Sequence, residues 1–306
     1  MSKTLETQLA GHTLRLSNLD KVLYPSVGFT KAEVIDYYVR IADTVMPHVR
    51  NRPMTMARYP DGVEGEMFYQ KRCPDHKPDY VRKVYVWSET YKRKVTFCVI
   101  DDLASLIYLI NLAAIELHPL LATADDVNTP TLMTFDLDPG PGADLVDCSR
   151  VALQLRDLLR QAGLDCFPKT SGKKGMHLNV PLNTPCTYDE TKGFARAIAM
   201  LLEKYHPEQV TSNMRKDLRR SKVFVDWSQN DEHKSTVCVY SLRVWERPTV
   251  STPLKWEEVQ DAVDRKDGSG LSFETEQTLE RVQQYGDLYA LVATLQQNMP
   301  VLTGVS

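Results

Sequence analysis

The chain has 306 residues, of which 42% are apolar, so it can bury a sizeable core as one large domain or two closely packed units. No apolar run approaches the ~18 residues of a membrane span, and the N-terminal stretch lacks the apolar core of a signal peptide. The net charge of −3 is uneven: residues 256–306 contain nine acidic and three basic residues, which leaves about +3 on the rest. These features predict a cytoplasmic protein without a membrane partner.

The six cysteines stand at positions 73, 98, 148, 166, 186 and 238, and no two of them form a CxxC pair. Several lie in apolar runs, which predicts buried free thiols in a reducing cytosol. Cys73 and His76 offer two zinc ligands, but no second pair stands at the spacing of a zinc site, so we do not expect zinc.

The first half of the chain predicts a mixture of helices and strands. Thr30 and Glu33 form a capping box, and the apolar period that follows indicates a helix that continues to Val49, before Pro53. Asp101 is expected to cap a long apolar helix at 103–117. A strand and turn are predicted at 12–25, and strands at 54–59, 66–71, 84–87 and 95–100.

In the second half, strands often follow one another across short polar connections. Thr187 and Glu190 form another capping box, for a helix that ends about Tyr205. This order favours an α+β fold with a largely antiparallel sheet over a doubly wound fold. Further helices are predicted at 148–162, 256–263 and 275–285, and strands at 132–138, 165–169, 176–181, 222–227 and 237–242.

A seam at residues 120–131 separates two predicted parts of the chain. Residues 1–125 are expected to form an N-terminal α/β module. Residues 126–306 are expected to form a catalytic core that ends in an acidic helical tail. No linker rich in glycine and serine separates the two.

Two aspartates stand at alternate positions of the apolar strand at 132–138. Alternate side chains of a strand point to one face, so Asp136 and Asp138 are expected side by side, with Phe135 and Leu137 on the packed face. Carboxylates held this close repel one another unless a cation lies between them, and oxygen ligands suit Mg²⁺ or Mn²⁺. The alternative is a solvated turn before Pro139, which the pair alone fits equally well.

A third acid, Asp226, ends the apolar strand at 222–227. A carboxylate in that place is costly to bury without a cation or hydrogen-bond donors. The alternative is a strand-end aspartate that caps the next turn.

The loop at 170–177 combines two glycines, a serine and two lysines ahead of His177. Ser171, the backbone N–H groups and Lys173 or Lys174 are predicted to bind phosphate oxygens, and Gly172 lets the backbone approach an anion. The spacing is not that of a P-loop, and an ordinary basic hairpin turn is the alternative.

Basic residues cluster despite the negative net charge, and three aromatic residues, Tyr59, Phe68 and Tyr69, are interleaved with them. Together with three acids and a phosphate loop, these clusters predict metal-dependent phosphoryl transfer on nucleic acid. The clusters are Arg50, Arg52 and Arg58; Lys71, Arg72 and Lys77; Lys92, Arg93 and Lys94; and Arg215, Lys216, Arg219, Arg220 and Lys222.

Six ordered segments resemble the polymerase domain of bacterial DNA ligase D, which belongs to the archaeo-eukaryotic primase superfamily and serves non-homologous end joining. The resemblance covers about residues 10–290. The segments are 18–25 (NLDKVLYP), 51–53 (NRP), 135–140 (FDLDPG), 170–177 (TSGKKGMH), 222–230 (KVFVDWSQN) and 240–243 (YSLR).

This resemblance implies a primase-polymerase-like catalytic core, similar to an RNA-recognition-motif sheet, with flanking helices. It implies a gap-filling polymerase that acts on DNA with 5′-phosphorylated breaks and prefers ribonucleoside over deoxyribonucleoside triphosphates. Ku and a DNA ligase would be its partners at the nucleoid. Two competing functions remain open: a non-catalytic module that binds 5′-phosphorylated ends and recruits a ligase, and a metal nuclease, which has no need of a triphosphate loop.

The resemblance also implies roles for residues that match the family motifs. Asp136, Asp138 and Asp226 would hold two Mn²⁺ or Mg²⁺ ions. The residues near the incoming nucleotide would be Ser171, Lys174, His118 and Arg243, with Gly172 and His177 of the loop beside them. The residues at the DNA would be Lys21, Lys31 and Arg58 at the 5′-phosphate, Phe68 and Tyr69 on the template, and Asn18 and Arg220 in the adjoining motif and basic cluster.

The chain departs from the family pattern in three ways. Ala57 stands where members can carry a lysine beside Arg58, which predicts weaker or shifted recognition of the 5′-phosphate. The aromatic pair is Phe68-Tyr69 rather than two phenylalanines. There is no ligase or nuclease module, so the chain is a stand-alone polymerase or an excised domain, and the initial methionine favours the former.

Overall fold

The computed structural model describes residues 4–88 and 92–300, which fall into two compact units. The first unit comprises residues 1–127, 235–250 and 274–286, and the second comprises residues 128–234, 251–273 and 287–306. The change of unit after Val127 lies within the seam at 120–131. The last six residues of the expected acidic tail lie outside the described residues.

The first unit contains the whole N-terminal part of the chain and helix α7 from its C-terminal part. Its helices are α1 (Lys31–Arg40), α2 (Ala42–Val49), α3 (Leu103–Asn111) and α7 (Thr275–Tyr285). Its strands are β1 (Thr4–Leu9), β2 (His12–Ser17), β3 (Val22–Tyr24), β4 (Phe29–Thr30), β5 (Arg52–Arg58), β6 (Phe68–Gln70), β7 (Lys83–Ser88), β8 (Arg93–Ile100) and β9 (Ala114–Pro119).

Strand β5 organises the first unit, because it pairs antiparallel with β6, β8 and β9. Strand β7 extends this sheet as the hairpin partner of β8, while β1–β2 and β3–β4 form separate two-stranded ribbons. The capping box of Thr30 and Glu33 is confirmed at the start of α1. Strand β5 is buried along most of its length, as expected for a strand with paired strands on both sides.

The second unit is built on one five-stranded sheet in the order β11-β12-β10-β14-β13. Adjacent strands in this sheet pair antiparallel, except β13 and β14, which pair parallel. The helices are α4 (Leu145–Gln161), α5 (Tyr188–Tyr205), α6 (Trp256–Arg265) and α8 (Ala290–Thr294). The strands are β10 (Leu132–Pro139), β11 (Phe167–Thr170), β12 (Met176–Pro181), β13 (Val210–Thr211) and β14 (Val223–Asp226).

One face of this sheet is apolar, as the alternation in β10 predicts. Phe135 and Leu137 are fully buried there, and α4 and α5 contribute residues to the same core. The helix caps support this packing, because Asp144 begins α4 and the predicted capping box of Thr187 and Glu190 begins α5. The expectation of an α+β fold with largely antiparallel sheet is confirmed.

The long helix predicted at 103–117 is wrong in its second half. Helix α3 begins after Asp102, which is its N-cap, and ends at Asn111. Ala113 then takes a left-handed conformation with φ of 60°, and Ala114–Pro119 forms β9 against β5. An apolar run that is buried on every side has no periodicity with which to separate a helix from a strand.

The strand predicted at 237–242 is also wrong. Tyr240 has a φ of 62°, which interrupts an extended backbone, and Leu242 makes only an isolated bridge to Val250. Its neighbours are instead tied to α1: the hydroxyl of Tyr37 donates to the Tyr240 carbonyl at 2.8 Å. These contacts place 235–250 in the first unit, whereas the prediction assigned that stretch to residues 126–306.

The cysteines divide into a disulfide and four thiols. Cys73 and Cys98 form a disulfide within the first unit, with their Cα atoms 4.8 Å apart, which corrects the expectation of free thiols for Cys98, a cysteine of the apolar run at 95–100. The two cysteines are 25 residues apart in the sequence, and their spacing alone does not predict that the fold brings them together. The other four, Cys148, Cys166, Cys186 and Cys238, are free and buried.

Within residues 4–88 and 92–300, no helix combines the length and apolar character that crossing a bilayer requires.

Candidate active site

The three acids lie on the polar face of the second unit's sheet. Asp136 of β10 stands directly opposite Asp226 of β14 in the antiparallel register. Asp138, two residues further along β10, projects from the same face. Side chains directly opposed across antiparallel strands have Cβ atoms about 4.5–5.5 Å apart, so three carboxylates share one small surface.

Donors from the same unit hold two of these carboxylates. His177 of β12 stands opposite Asp136 on its other side, and its Nε2 atom is 3.2 Å from Asp136 Oδ1. Asp226 Oδ1 accepts hydrogen bonds from the Ser228 backbone N–H at 2.9 Å and hydroxyl at 2.6 Å. Asp226 Oδ2 accepts from Gln229 Nε2 at 2.8 Å. Asp226 therefore caps the following turn and also faces Asp136.

The donor set of this surface fits a hard divalent cation. No group of three or more His, Cys, Asp or Glu side chains in the described ranges is arranged to hold a metal ion by itself. Mg²⁺ keeps several waters and needs only one or two carboxylates together with substrate phosphate oxygens. Asp136 and Asp138, with Asp226 opposite, supply such carboxylates, and a bound triphosphate would supply the rest.

The loop between β11 and β12 has a defined internal structure. Ser171 Oγ accepts from the backbone N–H groups of Lys173 and Gly175, at 3.2 and 3.1 Å, and Thr170 Oγ1 accepts from that of Gly172 at 3.0 Å. These N–H groups thus have acceptors within the loop, and phosphate binding by the loop stays a prediction. Lys174 is exposed, whereas Ser171 is buried.

Two glycines make this loop possible. Gly172 has a φ of 74°, in the left-handed region that favours glycine. A Cβ atom on Gly175 would lie 2.4 Å from the backbone oxygen of Leu137, so only glycine allows this loop to lie against β10.

In the first unit, one buried carboxylate holds both His118 and Arg243. Glu116 Oε2 is 2.9 Å from His118 Nε2, and Glu116 Oε1 is 3.2 Å from Arg243 Nε. The second contact is an ion pair without hydrogen-bond geometry, since Arg243 Nε has no hydrogen-bond acceptor. Oε1 also accepts from the Val244 backbone N–H at 2.9 Å. Sequence reasoning missed Glu116, because it placed this segment in a helix.

The three predicted 5′-phosphate contacts lie near one another in the first unit. Lys31 is buried, and its pKa is lowered to about 8 by burial first and then by the charges of Lys21 and Arg58. Its ammonium group donates to the Ser17 carbonyl at 2.6 Å and to Asn111 Oδ1 at 2.8 Å. Several positive charges gathered in one region are a property of anion-binding surfaces.

The surroundings of these cations include two further predicted residues. Arg58 is half-buried, and its guanidinium donates to the Leu112 carbonyl at 2.7 Å. Asn18 takes a left-handed conformation with φ of 54° and accepts from the Lys21 backbone N–H at 3.1 Å. Lys21 pairs with Asp61 at 2.7 Å. The turn that carries Asn18 therefore positions Lys21.

The predicted template contacts are exposed, as a stacking platform requires. Phe68 and Tyr69 of β6 are each 46% exposed, although both are large aromatic side chains. Tyr69 makes an edge contact with the ring of His118, with centroids 5.7 Å apart, so it borders the Glu116 cluster. Arg220 is exposed in the second unit, after the 3₁₀ turn at Lys216–Arg219.

The predicted residues therefore form three main groups, two in the first unit and one in the second. The first unit brings together His118 and Arg243, with Tyr69 beside them, and separately gathers Lys21, Lys31 and Arg58. The second unit brings the three aspartates together with His177, at the end of the 171–175 loop. Sequence analysis also missed Lys169, whose only signal is its position in a short apolar strand.

Comparison with known proteins identifies the family. The family model of the LigD primase-polymerase domain matches residues 30–289. The multifunctional non-homologous end joining protein LigD of Mycolicibacterium smegmatis is 40% identical over 280 residues, which are 90% of this chain and 36% of that protein. The bifunctional LigD of Bacillus subtilis is 34% identical over 251 residues, 82% of this chain and 40% of that protein. The chain thus spans less than half the length of these relatives.

A solved structure gives the same answer for the fold. The polymerase domain of Mycobacterium tuberculosis ligase D, solved in complex with DNA, superposes with a TM-score of 0.85 at 34% sequence identity. The match covers 93% of this chain and 99% of that one. From the family model and these relatives, the chain belongs to the LigD primase-polymerase domain family.

Proposed function

We propose that this chain extends DNA 3′ ends by template-directed addition of nucleotides, and so fills short gaps at double-strand breaks during non-homologous end joining. The observation that carries the proposal is the row of Asp226, Asp136 and His177 across one sheet. His177 is the second residue after the 171–175 loop, which connects this row to the loop. Family membership supports the reaction class, because members are nucleotidyltransferases of the primase-polymerase type.

In this reaction the primer 3′-hydroxyl oxygen bonds to the α-phosphorus of a nucleoside triphosphate, and pyrophosphate leaves. We propose two divalent ions, Mn²⁺ or Mg²⁺. When bound, they would neutralise the phosphate charge and make the 3′-hydroxyl more acidic. Asp136, Asp138 and Asp226 would hold them. Lys174 and the Ser171 hydroxyl would bind the triphosphate, each as a donor to phosphate oxygens.

The first unit would bind the DNA. Lys21, Lys31 and Arg58 form a concentration of positive charge suited to a 5′-phosphate, and the exposed rings of Phe68 and Tyr69 suit stacking on template bases. Because Ala57 lacks a charge, the site has one cation fewer than some members. Ku and a DNA ligase would act with the chain at the nucleoid, and ribonucleotides would be preferred over deoxyribonucleotides.

Primer extension on gapped DNA tests this function. Purified chain is supplied with a labelled primer, a 5′-phosphorylated downstream strand, Mn²⁺ and either ribonucleoside or deoxyribonucleoside triphosphates. We expect extension to the end of the gap, faster with ribonucleotides, and its loss in Asp138→Ala. Asp157→Ala is the matched control, since Asp157 is an exposed acid of α4 that pairs with Arg156. Undiminished extension by Asp138→Ala rejects the assignment.

A non-catalytic end-binding module is the second candidate, and the Lys21, Lys31 and Arg58 cluster favours it because that cluster needs no acid. It predicts salt-sensitive binding to 5′-phosphorylated ends without any extension. A nuclease would shorten the primer in the same assay.

A further inference from the structure

The row of opposed residues that contains the acids has a fourth member. Lys169 of β11 stands opposite His177 of β12, His177 stands opposite Asp136 of β10, and Asp136 stands opposite Asp226 of β14. Residues directly opposed in antiparallel strands point to the same face. A lysine that is 1% exposed therefore lies on the same surface as the acids, two strands away from Asp136.

The contacts of Lys169 define the direction of its hydrogen bonds. The Ser251 hydroxyl donates to the Thr170 carbonyl at 2.9 Å, so the Ser251 oxygen offers a lone pair to Lys169 Nζ, 2.7 Å away. Lys169 is thus a donor in this pair. An ammonium group has donors only, and Lys169 Nζ is also 3.1 Å from His177 Nδ1. His177 Nδ1 must accept, which requires that it carries no proton.

The other ring nitrogen of His177 has the opposite requirement. Its Nε2 atom is 3.2 Å from Asp136 Oδ1, and a carboxylate oxygen can only accept. Nε2 therefore carries the proton of the ring. The two contacts together assign opposite roles to the two ring nitrogens: Nε2 donates to Asp136, and Nδ1 accepts from Lys169.

We propose that Lys169 is a positioning residue, which holds His177 as an Nε2–H donor directed at Asp136. This keeps the Asp136 carboxylate oriented and keeps a nitrogen lone pair away from a surface meant for oxygen-liganded cations. Without Lys169, the ring can carry its proton on Nδ1 and present the Nε2 lone pair to the acids. Imidazole nitrogen is a good ligand for Zn²⁺, which would then compete for the site. The purpose of this arrangement rests on the proposed function.

Nitrogen NMR of the metal-free protein tests the protonation pattern directly. Long-range ¹H–¹⁵N spectra distinguish the two neutral ring forms, and a His177→Gln variant identifies the His177 signals among seven histidines. We expect the Nε2–H form in wild type and in Lys169→Arg, because a guanidinium also only donates. We expect a shift towards the Nδ1–H form in Lys169→Met, and no shift in Lys192→Met, a lysine that pairs with Asp231.

A wild-type ring protonated on Nδ1 overturns the proposal, and this result does not depend on how any variant folds. An unchanged ring form in folded Lys169→Met also overturns it. Extension assays add a second readout: Lys169→Met should lose about 10–100-fold in rate, as partners behind a metal ligand do, and become sensitive to Zn²⁺, with Lys169→Arg restoring both. If the wild type extends no primer, the proposed function fails while the NMR result still decides the role of Lys169.

Discussion

Asp226 faces Asp136 across the β10–β14 pair, so the last residue of one strand sets two carboxylates against each other on the polar face of the sheet. Like charges directly opposed in a sheet are destabilising, and no packing requirement calls for an acid at either position. The arrangement costs stability in the absence of a cation. Such a cost is typical of functional sites, where binding of a ligand relieves it.

Removal of one of these charges should stabilise the metal-free chain. We expect Asp226→Asn to raise the free energy of unfolding by about 0.2–1 kcal/mol in EDTA, because the amide oxygen still accepts from Ser228 and Gln229 can turn its side-chain amide so that its oxygen accepts from the new amide group. Mn²⁺ should then raise the denaturation midpoint of wild type more than that of the variant. Urea unfolding with and without Mn²⁺ measures both effects. A variant that is less stable than wild type in EDTA would show that the two carboxylates do not repel.

Gly175 should tolerate no side chain. A methyl group would meet the Leu137 carbonyl oxygen, so Gly175→Ala should destabilise the chain by about 1–3 kcal/mol and weaken nucleotide binding as the loop moves. Gly193 of α5 is the control: its added Cβ meets nothing within 4 Å, and Gly193→Ala should stabilise by about 0.4–1 kcal/mol. Denaturant midpoints of the two variants would move in opposite directions. A Gly175→Ala variant as stable as wild type would contradict the close contact.

Glu116 should act on nucleotide affinity through His118 and Arg243. Glu116→Gln keeps an acceptor for the Val244 N–H but removes the negative charge that His118 and Arg243 face. We expect the KM for the nucleoside triphosphate to rise about tenfold, which corresponds to about 1.4 kcal/mol, with a smaller change in kcat. The double variant with His118→Ala should lose less than the sum of the two single effects. Fully additive losses would mean that Glu116 acts independently of His118.

Lys31 should make end recognition depend on pH. Because burial and the neighbouring cations lower its pKa to about 8, Lys31 is cationic below that pH and neutral above it. The affinity for a 5′-phosphorylated end should therefore fall between pH 7 and pH 9, and the salt dependence should weaken by about one unit of slope. Binding titrations with 5′-phosphate and 5′-hydroxyl DNA measure this. Lys31→Arg should flatten the pH dependence, and an equal fall for both DNAs would exclude this role.

The sequence predicts much of the second unit, because strand alternation and helix caps are local signals. Leu137 and Phe135 are buried beside two outward aspartates, as the period of two requires, and Thr187 begins α5 as its capping box indicates. Local signals were also enough to identify Asp226 and the 171–175 loop. Their common location on one sheet depends on strand register, for which a single sequence carries little information.

The missed features are those decided by tertiary contacts. Ala114–Pro119 continues an apolar run and looks helical, yet it pairs with β5, so Glu116 and His118 lie on one strand face two residues apart. Lys169 would be read as a solvated charge, but its partners Ser251 and His177 come from distant parts of the chain. The Cys73–Cys98 disulfide likewise depends on the approach of a loop to β8.

Single-turnover primer extension by Asp226→Asn tests the central claim most directly, because this change removes one charge from the shared surface and keeps an oxygen that accepts both hydrogen bonds from Ser228. Gapped DNA with a 5′-phosphate, Mn²⁺ and a saturating ribonucleoside triphosphate are used, with Asp157→Asn as the matched control. The account predicts a rate lower by about 10²–10³-fold for Asp226→Asn and an unchanged rate for the control. Extension by Asp226→Asn within a few-fold of wild type would contradict it.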